Sequence, residues 1–446
     1  MKNSKLTYLT LIVFHALLAL VVFVIPFISK IYALLIIIVG FIIVYTSKNK
    51  NNEVLFVSAY LVGAEVFLRM TGGNLNNEFA KFSVIFFMIF GMVYSNFSKN
   101  GLIYLVFLLL LVPAIFITIS EAGIDVDLKK SLFFNLSGPL CIAMCAIYMF
   151  NRRIAFDTLG KVLIIMGFPI ISITVYLFLY APSIKDVVTG TQSNFETSGG
   201  FGPNQVSTIL GLGMFIFFTQ LILFSKSKIE LFINSILFIF ISYRGIVTFS
   251  RGGIMTAAAM IVCFLFLLYY FSNAKGKSKL NLIFILTGIV SIGVWTYSSS
   301  QTGGLIEKRY TNKDARGREK KDRLGGREEI MDAEINLFMD SPLLGVGAGL
   351  SKSKREEELG GQAASHSEIT RLLAEHGVFG IVAFLILVTV PFVVYINNKQ
   401  HLYFLPFIIF WLLTINHAAM RTAAPAFVYA LSLLFVQVKI PEETEN

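Results

Sequence analysis

Residues 101–119 read GLIYLVFLLLLVPAIFITI, nineteen positions without a charge. As a helix this stretch is roughly 28 Å long, close to the ~30 Å hydrocarbon thickness of a bilayer. Similar runs recur from Tyr8 to Val438, at 8–28, 31–46, 53–70, 80–95, 101–119, 131–150, 161–180, 204–224, 229–247, 252–271, 280–299, 378–396, 402–416 and 422–438. Three of them, 31–46, 80–95 and 402–416, are short. The expected fold is therefore all-α, a polytopic helical membrane protein with about 12–14 transmembrane helices, one membrane domain filling residues 1–446. Composition agrees: 56% of residues are hydrophobic, 43 are Phe and only 14% are charged, far from the balance of soluble domains. The first run follows Lys2 and Lys5, lacks a small-residue cleavage site and reads as an uncleaved span.

Cys141, Cys145 and Cys263 all fall inside apolar runs, so neither a disulfide framework nor a thiolate metal site is indicated. The net charge of +10 would suggest nucleic acid in a soluble protein, but here the basic residues sit at span ends and no nucleic-acid partner is expected. With the N-terminus inside, inner termini and loops hold fifteen Lys and Arg against nine in the short outer loops, which places both termini in the cytoplasm. Two long segments then face outward: 181–203, rich in Gly, Ser and Thr, and 300–377, rich in charge. No phosphate-binding Gly-rich loop follows a strand pattern, so chemistry is expected on the outer face, without a nucleotide.

Within 300–377, Ile330, Ala333 and Leu337 share one stripe of a helix over Arg327 to Met339, expected to lie on the membrane surface. Asp340-Ser341-Pro342 stops it. Farther on, Ser365-His366-Ser367-Glu368 has the spacing of a capping box, which starts a helix at His366 that ends at Gly377. His366 would lie in the first turn, where the helix dipole keeps an imidazole neutral and attracts an anion such as phosphate. Alone it is an ordinary polar residue at a helix start. Two arginines beside glycines sharpen the reading: Arg251 in Ser250-Arg251-Gly252-Gly253, and Arg327 in Gly325-Gly326-Arg327. Guanidinium groups suit phosphate oxygens, and the glycines would let a bulky ligand approach; contacts to lipid headgroups are the plainer alternative. Arg244, about two turns before Arg251, and His417, beside Asn416 and near Arg421, are supporting candidates. Glu65 with Arg69, and Arg371 with Glu375, have the spacing of i,i+4 pairs. Asp125-Val126-Asp127 has the spacing of a metal-binding pair but better fits an acidic outer loop capping the next helix, and no metal or cofactor is expected.

The order of these features resembles the O-antigen ligase and O-antigen polymerase family of bacterial envelope glycosyltransferases. Four pieces carry the likeness. They are Gly202-Pro203-Asn204-Gln205; Ser250-Arg251-Gly252-Gly253; Gly326-Arg327 followed by residues 341–349, Ser-Pro-Leu-Leu-Gly-Val-Gly-Ala-Gly; and His366 followed by residues 373–380, Leu-Ala-Glu-His-Gly-Val-Phe-Gly. Ser367 stands where the family usually has Asn. The resemblance covers the second half of the chain. It implies a polyprenyl diphosphate-linked oligosaccharide as donor and a hydroxyl on a lipid-linked glycan, lipid A core or protein as acceptor, joined with inversion, without a metal, at the outer face of the bacterial cytoplasmic membrane. It also implies that Arg251 and Arg327 hold the diphosphate, that His366 takes the acceptor proton or orients the acceptor hydroxyl, and that Asn204 orders the cavity wall. The rival from another class is a lipid-linked glycan flippase, which predicts internal repeats and charges near the bilayer midplane; a peptidoglycan-type polymerase would rest on an outer-loop acid instead of His366.

Overall fold

The computed structural model describes residues 2–121, 128–320, 327–359, 365–418 and 420–438. The Asp125–Asp127 pair, Gly325 and Gly326, the end of the charged run 316–323, and Lys439 lie outside them. The chain is helical almost throughout: α1 Lys2–Val24, α2 Ile28–Ser47, α3 Glu53–Met70, α4 Phe79–Tyr94, α5 Ile103–Glu121, α6 Leu128–Met149, α7 Phe156–Tyr180, α8 Ile184–Val187, α9 Pro203–Thr219, α10 Lys228–Ile246, α11 Arg251–Phe271 and α12 Ala274–Gln301. Then follow α13 Leu305–Tyr310, α14 Arg327–Asp340, α15 Ser351–Leu359, α16 Glu368–Ile396, α17 Phe404–Ile415 and α18 Ala424–Leu431. Among the described residues ten helices are long and apolar enough to cross a membrane, with α4 and α17 as shorter apolar helices. The protein is an all-α, multi-pass membrane protein.

The expected last span, 422–438, is shorter as a helix than its hydropathy suggests. α18 ends at Leu431, and Phe435–Gln437 is instead strand β2, paired in parallel with β1, Arg153–Ala155, with Ile154 opposite Val436. The backbone groups of 435–437 thus find partners some 280 residues away, a constraint no local pattern carries. At this same end Asn49 Nδ2 donates to Tyr148 Oη at 2.8 Å and Ser95 Oγ at 3.1 Å, and Arg152 Nη1 donates to Asn52 Oδ1 at 3.1 Å.

The opposite end gathers the described residues of segments 71–78, 181–202, 247–251, 302–320, 327–359, 365–367, 416–418 and 420–423. Arg244 belongs to its scaffold. Its Nη2 donates to Leu177 O at 2.6 Å and its Nη1 to Ala181 O at 3.2 Å, with Phe178 beneath the guanidinium. Arg244 supplements the hydrogen bonding of the α7 C-terminus, where Leu177 O also accepts from Ala181 N at 3.1 Å; it is not placed to serve a ligand, as the sequence reading allowed. Glu65 and Arg69 pair at 2.8 Å, and both also reach the 420s: Glu65 Oε2 accepts from Ala423 N at 2.7 Å, and Arg69 Nη2 donates to Arg421 O at 3.1 Å.

Candidate active site

The floor of the site is the junction of α9 and α11. Asn204 Oδ1 accepts from Ser250 Oγ at 2.8 Å, and Ser207 Oγ donates to Ser250 O at 2.7 Å. Phe249, fully buried, has φ +58°, a left-handed conformation that a bulky residue adopts only when its surroundings impose it. Here the surroundings include Arg309, whose Nε donates to Phe249 O at 3.0 Å. The sharp turn throws Arg251 to the start of α11.

The glycines after Arg251 serve packing, which corrects the expectation that they open space for a ligand. A Cβ on Gly253 would lie 2.2 Å from Ser207 O, and one on Gly252 would lie 2.4 Å from His417 Cδ2. Helix α9 and the His417 ring fill the room that two missing side chains provide, the small-residue packing usual between membrane helices. His417 is itself committed. Its Nδ1 faces Leu413 O at 2.8 Å, and its Nε2 lies 3.1 Å from Thr208 Oγ1, whose hydroxyl also bonds Asn204 O at 2.7 Å. Asn204 and His417 thereby brace the wall together.

Three arginines converge above this floor. Arg251 Nη1 donates to Arg309 O at 3.4 Å. The Arg309 guanidinium is pulled down to about 10, first by burial and then by Arg251 and Arg327. Arg327, at the start of α14, is lowered by burial and then by Arg251. Like charges held together in a partly buried place disfavour one another, so the cluster favours an anion. Arg309, on α13, was not singled out from sequence: the run Lys308-Arg309 looks like the surrounding charged loop.

His366 lies next to this cluster, by a different route from the one its motif suggested. The N-cap of α16 is Ser367, whose Oγ accepts from Thr370 N at 3.4 Å, and the helix starts at Glu368. Ser365 is not the cap; its Oγ bonds Glu334 Oε2 at 3.2 Å and Ser367 O at 3.0 Å. His366 therefore precedes the helix instead of occupying its first turn. The effect expected of the dipole has another source: burial first, then Arg327 and Arg421, hold the imidazole down to about 4, against a partial rise from a hydrogen bond with the His417 backbone. That ring nitrogen faces a carbonyl, so it carries the hydrogen. Nδ1, buried and without a hydrogen-bond partner among the described residues, is then the lone-pair nitrogen. The cleft around it, lined by Arg327, Ile330, Met331, Ser367 and Asn416, is narrow, about 10 Å³.

Behind His366 lies a second, differently built region. Glu334 of α14 is fully buried and accepts from Arg355 Nη1 at 2.8 Å and Thr370 Oγ1 at 2.5 Å. Arg355 Nε donates to Ser351 O, and Ser351 Oγ to Glu375 Oε1 at 2.7 Å. Arg371 bonds Glu368 and Asn135 and reaches Glu375 at 3.2 Å. Arg371 and Glu375 thus pair as their spacing predicts, and the structure sets them in this network. The glycine-rich stretch 341–349 locks onto it: Val346 N donates to Ala374 O at 2.8 Å and Val378 N to Pro342 O at 2.8 Å. The lock needs Gly377, with φ +59°, where a Cβ would come 2.6 Å from Leu343 O. At that residue the expected helix end becomes a bend, and α16 continues into its membrane span. Stripe residues Ile330, Ala333 and Leu337 of α14, expected on the membrane surface, are buried within the protein where α14 packs on α16, while Ile335 and Met339 are exposed.

Residues 236–385 match the model of the family described as O-antigen ligase, a stretch that holds Arg251, Arg309, Arg327 and His366. No curated protein matches the chain. Over that stretch the chain is similar to the O-antigen ligase family, and the stretch lies within a protein built of membrane-spanning helices.

Proposed function

We propose that this protein belongs to the O-antigen ligase and polymerase family and transfers a glycan from a polyprenyl diphosphate-linked donor to a sugar hydroxyl, on the outer face of the bacterial cytoplasmic membrane, with inversion and without a metal. The observation that carries the reading is the convergence of Arg251, Arg309 and Arg327, from three separate helices, beside a neutral histidine whose Nδ1 is the lone-pair nitrogen.

In the proposed step the acceptor oxygen attacks the anomeric carbon on the face opposite the diphosphate. The new C–O bond forms as the bond from that carbon to the diphosphate oxygen breaks, and the leaving group keeps the electron pair. The acceptor proton passes to His366 Nδ1, while the opposite ring nitrogen keeps its hydrogen on the His417 carbonyl. Guanidinium charge offsets the charge that develops on the leaving oxygens, so no general acid is required there. The products are the elongated glycan and a polyprenyl diphosphate.

The test is transfer by purified, detergent-solubilised protein given an undecaprenyl diphosphate-linked oligosaccharide and a panel of acceptors, with and without chelator. His366→Ala is expected to reduce turnover roughly 10²–10⁴-fold at normal protein yield, and chelation to leave the wild type unaffected. Near-normal transfer by His366→Ala would sink the assignment of the base. Donor binding without transfer to any acceptor would instead point to a transporter.

A further inference from the structure

A cavity of about 480 Å³ reaches Ser365, next to His366, and is not lined by Arg251, Arg309 or Arg327. We propose that it is the acceptor's subsite and takes an uncharged pyranose ring, an inference that rests on the transferase reading above.

Its position is the first argument. Ser365 lines both this cavity and the narrow cleft of His366, and Arg421, another lining residue, is one of the charges that hold the His366 imidazole neutral. A sugar seated here would lie against the segment that carries the base, with the diphosphate cluster beyond it. The volume suits one or two sugar rings and falls in the ordinary range for ligand pockets, about 300–1,000 Å³.

The lining chemistry is the second argument. Most of its charges are answered from within, Glu368 and Glu375 by Arg371, Arg355 by Glu334, and Glu78 by Lys81, while Lys352 and Arg421 also line it and Arg421 donates to Ser365 O. Such a wall offers many hydrogen-bonding atoms whose charges are mostly paired. A diphosphate would gain little from it, whereas hydroxyl groups can donate to the carboxylate oxygens and meet the amides of Asn77 and Asn135. Phe133 and Phe134 also line it, each 48% exposed. An aromatic face beside polar hydrogen-bonding groups matches a pyranose, which presents C–H groups on one face and hydroxyls at its edge.

Asn77 is exposed at the rim, which gives direct access to the test. In a Cys263→Ser background, where the remaining Cys141 and Cys145 are buried, Asn77→Cys is labelled with a bulky maleimide. The acceptor used is whichever of lipid A core or lipid-linked glycan the unlabelled protein elongates. Labelling is expected to raise the acceptor KM about tenfold or more, equivalent to about 1.4 kcal/mol, with the Kd for undecaprenyl diphosphate unchanged. The acceptor should slow labelling, and undecaprenyl diphosphate should not. Phe134→Ala should raise the acceptor KM in the same direction without any label. An acceptor KM that stays within about twofold in both the labelled protein and Phe134→Ala, or protection by undecaprenyl diphosphate in place of the acceptor, would overturn the cavity assignment alone. Failure of the wild type to elongate any acceptor would overturn the transferase reading, and the subsite with it.

Discussion

Two neighbourhoods of this protein use arginine in opposite ways. Arg355 and Arg371 are buried among carboxylates, each in a salt bridge with Glu334, Glu368 or Glu375. On the other side of His366, no salt bridge among the described residues joins Arg309 or Arg327 to a carboxylate, and both are lowered by burial and then by neighbouring arginines. Where the counter-charge is built in, a buried arginine holds elements together, and removing either partner strands a charge. Where cations converge instead, the arrangement costs stability by itself and makes sense as a place prepared for an anion.

That contrast predicts separable phenotypes. The largest effect is on folding. Glu334→Ala removes the buried carboxylate that Arg355, 3% exposed, pairs with at 2.8 Å, and the acceptor of Thr370 and Ser365. A loss of about 3–5 kcal/mol is expected, read as a fall in the detergent melting temperature. An unchanged melting point would mean that the network does not hold α14 to α16. Next, Arg327→Gln should reduce kcat/KM by about 10²–10³-fold, the scale for losing one preorganised charge-stabilising group, with melting unchanged. A coupled drop in melting temperature would move Arg327 into the structural class. Arg251→Lys keeps the charge but loses the two-pronged guanidinium, so a reduction of roughly 10–100-fold is expected. Full activity in the lysine variant would reduce that residue's role to a point charge.

The sequence made one neighbourhood partly legible and concealed the other. Arg251, Arg327 and His366 stand out because each is a polar residue in a local pattern that apolar spans or helix periodicity do not explain. Glu65 with Arg69 and Arg371 with Glu375 could be paired because i,i+4 spacing is enough on a helix. Glu334 and Arg355 are 21 residues apart on different helices, and Arg421 reaches Ser365 O across 56, so nothing local announces them. The capping box failed for a subtler reason: Ser365 and Ser367 both precede a helix with the right chemistry, and tertiary contacts with Glu334 draw Ser365 away while Ser367 caps. The glycines after Arg251 were visible, but the atoms that fill their space come from α9 and from His417. The spans were read well because hydropathy over twenty residues is local. α18 was overestimated because its end is set by pairing with 153–155.

The smallest predicted effect tests the link between the two neighbourhoods, since Arg421 lines the cavity and also acts on His366. Neutral His366 is the proposed base, so kcat/KM for the donor should fall as pH drops through the pKa of the free enzyme. An ordinary histidine would give that fall near 6.5. With the imidazole held down to about 4, the rate should stay level from pH 8 to about 5.5 and fall only below that. Part of the depression comes from the positive charge of Arg421, and removing a like charge raises the pKa of a base. Arg421→Gln should therefore move the acid limb upward, by roughly half a unit to one unit. Lys354→Gln makes the same change in net charge, but Lys354 bonds Glu121 at 2.8 Å and is not among the charges that act on His366; it should leave the limb in place. Equal displacement in both variants would show that overall charge sets the profile, and a limb near 6.5 in the wild type would show that the imidazole titrates as if exposed.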